Sequence, residues 1–174
     1  RVLDLGSGTG AAFDQLQNLQ VTAIDPDEKM LQLNKFKNKI IGGAENLPFP
    51  DNSFDSVYCA FVWRNVNDPT KGIEEVYRVL RPGGKFILLD MTRPKNKFLK
   101  LLHKIGTFKV TLLIGLLTFN LKEYRFLHKS LDKYPQPEEY FKTHPFQYCK
   151  IQRMGLFNFC LLYTSDAADE RNGG

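Results

Sequence analysis

Two acidic residues and a group of glycines near the start of the chain are the residues best suited to bind a cofactor. Asp4 lies within a short apolar run, Val2–Leu5, and glycines follow at positions 6, 8 and 10. A glycine turn lets a ligand approach the backbone because no β-carbon stands in the way. The spacing is G-x-G-x-G, whereas dinucleotide-binding proteins carry G-x-G-x-x-G. A carboxylate beside this turn suits a ligand with a cationic end better than a pyrophosphate.

A second carboxylate ends the apolar run Val21–Asp25. An acid at the tip of the second strand is placed to accept the two hydroxyls of a ribose. Residues 11–19 carry apolar side chains at helical spacing, so the glycine turn stands between a strand and a helix. A glycine turn alone is weak evidence, since ordinary loops contain it too. The complete set resembles the class I methyltransferases, which bind S-adenosylmethionine (SAM), through Asp4, Gly6, Gly8, Gly10 and Asp25.

The composition is that of one globular α/β domain. The chain has 174 residues, of which 43% are hydrophobic and 25% charged, and a net charge of +5. This basicity mildly favours an anionic membrane surface or nucleic acid, although a solvated basic face explains it as well. The cysteines, at positions 59, 149 and 160, have no metal-like spacing, which argues for a reducing compartment and against zinc. No signal peptide or long apolar run is present, so we expect a cytoplasmic protein, in peripheral contact with a membrane at most.

Both ends of the chain look artificial. The sequence begins directly at the first strand without an initiator Met, which we interpret as an N-terminal truncation. Residues 160–174 resemble the translation of a sequencing adapter, and the alternative is a genuine polar tail. We therefore expect a domain over residues 1–159 followed by a non-native segment.

The order of strand and helix signals predicts a Rossmann-like α/β fold with a seven-stranded, mostly parallel sheet. The cofactor should lie at the carboxyl ends of strands one, two and four. Asp68 and Pro69 are typical of a helix start, so a helix is expected over residues 68–80. The other expected elements are helices at 26–36 and 137–143, strands at 39–41, 56–61 and 85–91, a turn at 81–84, and a closing antiparallel pair at 146–151 and 156–159.

A helical insertion is expected after strand five, over about residues 94–130. Lysines at positions 95, 97, 100, 104 and 109 precede or interleave an apolar run at 110–121. That run is shorter than the ~20 residues needed to span a bilayer. Two interpretations stay open, namely a basic amphipathic pair of helices that covers a lipophilic pocket or touches a membrane through 95–121, and a buried helix of an inserted subdomain.

Four segments make the resemblance more specific. They are similar to the ubiquinone/menaquinone biosynthesis C-methyltransferase family over residues 1–159, and the segments lie at 45–55, 64–66, 77–84 and 124–130. The resemblance implies SAM-dependent methylation of a ring carbon in a polyprenylated quinol.

The family's cofactor contacts fall, by position, on a small set of residues in this chain. Position 43 usually offers Asp or Asn to the adenine amino group, and position 60 is Ser in some members. This chain departs from the family at both. The implied contacts are Thr9, Asp25, Gly43, Ala44 and Ala60.

Arg64 is the expected catalytic residue, with Asn65 orienting it or a water molecule. Because an arginine side chain is hardly ever a free base, we assign it stabilisation of a phenolate and not proton abstraction. A surface ion pair is the alternative for Arg64, and Tyr124 either contacts the ring or packs against its neighbours. Other open readings are methylation of a different small lipophilic molecule and a non-catalytic SAM-binding scaffold. RNA methylation is disfavoured because no N-P-P-[YF] tetrapeptide follows the fourth strand. The oligomeric state stays open.

Overall fold

The computed structural model describes residues 1–117, 130–132, 146, 148–154 and 157–163. Its strands are β1 Val2–Leu5, β2 Val21–Asp25, β3 Asn38–Ile41, β4 Phe54–Ala60, β5 Leu80–Met91, β6 Tyr148–Met154 and β7 Phe157–Tyr163. Its helices are α1 Phe13–Leu16, α2 Glu28–Leu33, α3 Pro69–Val79 and α4 Lys97–Leu117, with a short 3₁₀ helix at Trp63–Asn65.

Within these residues the strands form one seven-stranded sheet in the order β3-β2-β1-β4-β5-β7-β6. The strands from β3 to β5 are parallel, and β7 is antiparallel to both of its neighbours. The chain order reverses between β1 and β4, which is the switch point where open α/β sheets bind their ligands. The predicted mostly parallel α/β sheet is confirmed.

The main core packs beneath this switch point. Trp63, Phe54 and Phe86 are at most 1% exposed, and the rings of Trp63 and Phe86 lie 5.3 Å apart. Helix α3 contributes its buried face, and its N-terminus is capped as predicted, because the Asp68 carboxylate accepts from the Lys71 amide at 3.1 Å. The core thus fixes the 3₁₀ helix that carries Trp63 and, next to it, Arg64.

Strand β5 starts earlier than the sequence suggested. Residues 81–84 were expected to form a turn before the strand, yet Leu80 already pairs with Phe54. The next pair is Ser56 with Lys85, so β4 advances two residues while β5 advances five. Gly83, with φ of +74°, supports this irregularity. Because β5 pairs with β4 both before and after residues 81–84, these residues form a break in register inside β5 and not a turn that precedes it.

The first two helices are shorter than predicted. Helix α2 ends at Leu33 instead of residue 36, because Asn34 adopts an extended backbone as its C-cap. Leu31 is buried, whereas Leu33 is 72% exposed. Helix α1 spans Phe13–Leu16 alone, and Leu19 is 53% exposed. Helical spacing of apolar residues overestimated the length of both helices, and for α2 the contacts of the Asn34 side chain explain the early end.

The region after β5 is described in part. Lys97–Leu117 is one continuous helix, and residues 118–121 lie outside the described residues, as does the helix expected at 137–143. The closing antiparallel pair is present, and β7 ends at Tyr163 where the last strand was expected to end at residue 159. Among the described helices, none is long and apolar enough to cross a membrane.

Candidate functional site

The glycine turn is fastened to the carboxyl end of β2. The backbone amides of Gly6 and Ser7 both donate to the Ile24 carbonyl, at 2.8 and 3.1 Å. Gly6 has φ of +72°, and a β-carbon built on it would lie 2.4 Å from the Val62 side chain. Only glycine fits here, since both the backbone angle and the space exclude a side chain. The turn therefore touches the segment that follows β4.

Asp25 holds the same turn from the tip of β2. Its Oδ2 accepts from the Gly8 amide at 2.9 Å, and its Oδ1 accepts from the Asp27 amide at 2.8 Å. The residue is 7% exposed. Each carboxylate oxygen has a further lone pair, so Asp25 can accept the hydroxyls of a ribose while it holds the turn.

Asn34 was not found by the sequence analysis. Its side-chain amide donates to the Ser7 hydroxyl at 3.2 Å and to the Gly8 carbonyl at 3.0 Å, and its oxygen accepts from the Phe36 amide. It is 4% exposed, and a β-carbon on Gly10 would lie 2.7 Å from its Oδ1. Asn34 therefore supports the turn from behind, a contact across about 26 residues that no local pattern signals.

Asp4 fits a cationic ligand. The side chain is 3% exposed, and its Oδ2 has no hydrogen-bond partner among the described residues. Burial, together with the charge of the nearby Asp25 carboxylate, raises the pKa of the Asp4 carboxyl to about 6. A buried carboxylate without a partner is costly unless a cation or donor meets it. The ammonium of SAM's amino-acid end would supply that charge, so the residues present fit this cofactor.

The other expected cofactor residues lie in different surroundings. Thr9 is exposed on the turn, and Ala60 ends β4 half-buried. Ala44 is 5% exposed and belongs to the core, so its backbone is the part left for a ligand. A β-carbon on Gly43 would lie 3.1 Å from Glu45 Oε2. That carboxylate already accepts through its other oxygen from the Asn67 amide at 2.9 Å.

Arg64 forms a buried ion pair with Asp90, which the sequence analysis did not select. Arg64 Nη1 lies 2.5 Å from Asp90 Oδ1, and the two side chains are 11% and 2% exposed. Burial raises the pKa of Asp90, although Arg64 and two backbone amides oppose this rise. Asn65, expected to orient Arg64, is exposed, whereas Asp90 makes the contact. Tyr124 lies outside the described residues.

The residue after β4 has an unusual backbone. Phe61 has φ of +61° and its side chain is 40% exposed, while its amide donates to the Leu89 carbonyl at 2.7 Å. A left-handed conformation is uncommon for an aromatic residue and is found preferentially at functional sites. Phe61 is the residue that joins the end of β4 to the Arg64 segment, and its ring is partly exposed.

Comparison with known proteins decides the family. Residues 3–88 match the family model described as a methyltransferase domain. The ubiquinone/menaquinone biosynthesis C-methyltransferase of Rickettsia bellii is 39% identical, over 80% of this chain and 64% of that protein, and the Rickettsia akari enzyme is 37% identical. The chain belongs to the class I methyltransferases. This methyltransferase spans about 64% of the length of those relatives.

Solved structures agree on the fold of this methyltransferase. A SAM-dependent methyltransferase from Thermotoga maritima, titled a possible histamine N-methyltransferase, matches with a TM-score of 0.69 at 20% identity. The match covers 95% of this chain and 82% of that one. A methyltransferase in complex with the Haloferax volcanii Trm112 activator matches with a TM-score of 0.64 at 16% identity. At these identities the likeness concerns the fold alone.

Replacing Asp4 by Asn should stabilise the ligand-free methyltransferase and weaken SAM binding. Because the folded pKa is raised from 3.8 to about 6, the folded state binds more protons than the unfolded state between these values. Stability is therefore lost as pH rises through that window, by up to about 3 kcal/mol above it. Asp4→Asn removes this loss, together with the charge that meets the ligand's ammonium.

Urea unfolding of both proteins at pH 4.5 and 7.5, with calorimetry of SAM binding, checks this expectation. The exposed Asp14→Asn is the matched control. A stability difference between Asp4→Asn and the wild type that does not change with pH would contradict it.

Position 43 offers a second test, because Glu45 lies beside it. An Asn there should improve SAM affinity, since its Oδ1 can accept from the adenine amino group while its NH2 donates to Glu45. An Asp should improve affinity less, because two carboxylates would be close together. Calorimetry of Gly43→Asn and Gly43→Asp measures the difference, which we expect to be about 0.5–1 kcal/mol in favour of Asn. Equal affinities would show that Glu45 has no influence on this position.

Proposed function

We propose that this methyltransferase transfers a methyl group from SAM to a ring carbon of a polyprenylated quinol. The observation that carries the proposal is the Arg64–Asp90 pair, buried at the carboxyl ends of β4 and β5. It lies in a chain 39% identical to a ubiquinone/menaquinone biosynthesis C-methyltransferase. The glycine turn reaches the Arg64 segment through the contact of Gly6 with Val62.

The chemistry needs a cation near the reacting ring. When bound, SAM supplies a methyl group already activated by its sulfonium. A ring carbon becomes a good nucleophile when a neighbouring hydroxyl loses its proton, so the protein must stabilise a phenolate. Arg64 offers a cationic guanidinium with five N–H donors, and its side chain is largely shielded from water. We assign it the stabilisation of that phenolate.

Turnover on a quinol tests this function. The purified chain, with tritiated SAM and a short-tailed demethylated quinol, should produce a ring-methylated product identified by mass spectrometry. Arg64→Ala should lower kcat by about 100-fold, a loss typical of removing one oxyanion donor. SAM affinity should change little, because Asp4 and Asp25 are untouched. Arg78→Ala, which removes an arginine of α3, serves as the control.

Two outcomes would replace the proposal. SAM binding without turnover on any quinol would favour the non-catalytic scaffold. Turnover on other lipophilic acceptors, with quinols inert, would favour a different small-molecule methyltransferase.

A peripheral membrane contact through residues 95–121 is part of the proposal, since a polyprenyl tail resides in a bilayer. Helix α4 contains no acidic residue. Its half-buried positions over residues 97–113 are the polar His103, Thr107 and Thr111. Buried Arg93 holds this polar stripe, because its Nη1 donates to Thr107 Oγ1 at 2.8 Å. The apolar side chains face solvent, and nine of them are 43–59% exposed: Leu99, Leu101, Leu102, Ile105, Phe108, Val110, Leu112, Leu113 and Leu116.

Replacing Lys97, Lys100 and Lys109 by Glu should weaken binding to anionic vesicles by about 100-fold or more, since each lysine contributes about 1 kcal/mol near such a surface. Lys104 is left intact because its ammonium pairs with Asp132 at 2.9 Å. The matched control changes Lys37, Lys71 and Lys85, which are exposed elsewhere. Vesicle co-sedimentation measures binding. An equal loss of vesicle binding in both triple variants would show that the effect comes from net charge alone, and it would contradict a role for α4.

A further inference from the structure

One carboxylate contacts both ends of Arg64. Asp90 Oδ2 accepts from the Arg64 backbone amide at 3.1 Å, and Asp90 Oδ1 accepts from Arg64 Nη1 at 2.5 Å. Asp90 is fixed in turn, because it belongs to β5, is 2% exposed, and accepts from the Met91 amide at 2.7 Å. The long side chain of Arg64 must therefore fold back over its own backbone.

This clamp restricts a side chain that is otherwise among the most mobile. Arginine loses as much as about 2 kcal/mol of conformational entropy when it is ordered. Asp90 accepts hydrogen bonds from both the backbone amide and the guanidinium of Arg64. The side chain is therefore already ordered, and its conformational entropy already lost, before any ligand binds. Preorganised charges stabilise a transition state better than charges that must reorient.

Comparison with Arg78 shows that Arg64 is not simply a structural arginine. All five N–H groups of the Arg78 guanidinium donate to acceptors, which are Glu75, Asp51, Leu47 and Phe49. Among the described residues, the Arg64 guanidinium donates to Asp90 alone, and its Nε is buried without a partner. Donor capacity is thus left over at Arg64, beside the glycine turn.

We infer that Asp90 is the positioning residue of the methyl-transfer reaction, holding the Arg64 guanidinium where the phenolate forms. The inference rests on the function proposed above. Asp90 acts through Arg64 and does not touch the ligand itself. A structural role for Asp90, as a staple between β5 and the 3₁₀ helix, makes different predictions and can be separated from this one.

The test is a double-mutant cycle on the purified chain, with kcat on the quinol as the readout. Asp90→Asn keeps the shape of the side chain and an acceptor for the Arg64 amide, but it removes the charge. We expect kcat to fall at least about tenfold while KM for SAM stays within about twofold. In an Arg64→Ala background the same substitution should lower kcat by less than about twofold, since the residue it positions is gone. Asp51→Asn, which weakens an exposed ion pair of Arg78, should leave kcat unchanged.

Three outcomes would overturn the inference. Equal losses of kcat from Asp90→Asn with and without Arg64 would show that the two residues act independently. A parallel fall in SAM affinity and melting temperature would assign Asp90 a structural role, as would loss of cooperative unfolding in both Asp90→Asn and Asp90→Glu. An unchanged kcat in Asp90→Asn would remove Asp90 from the reaction. Absence of wild-type turnover is a separate result, because it contradicts the proposed function before any variant is compared.

Discussion

The close approach of Gly6 to Val62 sets the geometry of the whole site. Parallel pairing of β1 with β2 and β4 brings three carboxyl ends to one edge, but it leaves open how near their loops come. With a β-carbon on Gly6 only 2.4 Å from Val62, any larger residue would push the turn away from the segment after β4. The groups that suit a cofactor, Asp4 and Asp25, and the group that suits a phenolate, Arg64, are neighbours because of this contact.

The buried carboxylates of Asp4 and Asp90 differ in how their negative charge is compensated. Both have a pKa raised chiefly by burial. Asp90 has a cationic partner in Arg64 and backbone donors besides, so its charge is compensated within the protein. Asp4 has an oxygen without a partner among the described residues. Since an uncompensated buried charge costs stability, the position of Asp4 is best explained by a ligand that brings the missing positive charge.

The sequence could predict whatever depends on neighbouring residues. The glycine turn, the acid at the end of β2 and the Asp68 cap follow from short patterns with a physical cause, and all are found in the structure. Asn34 and Asp90 could not be found in this way. Their contacts cross about 26 residues, so they depend on strand register and on where a helix ends. Neither residue type nor spacing distinguishes them from ordinary polar residues.

Helix α4 shows why a correct pattern can still leave the orientation open. Its lysines and apolar residues identify an amphipathic helix, but periodicity does not tell which face meets the protein. In an ordinary surface helix the apolar face is buried. Here the deciding contact comes from Arg93, which follows Asp90 by three residues. Arg93 is 2% exposed and donates to Thr107. A buried guanidinium needs acceptors, and the polar stripe of α4 supplies one, so the helix turns its polar side inward. The charge of Arg93 is met by Asp132 at 3.0 Å and a further donor by Thr107, and with this polar stripe turned inward the apolar side faces solvent.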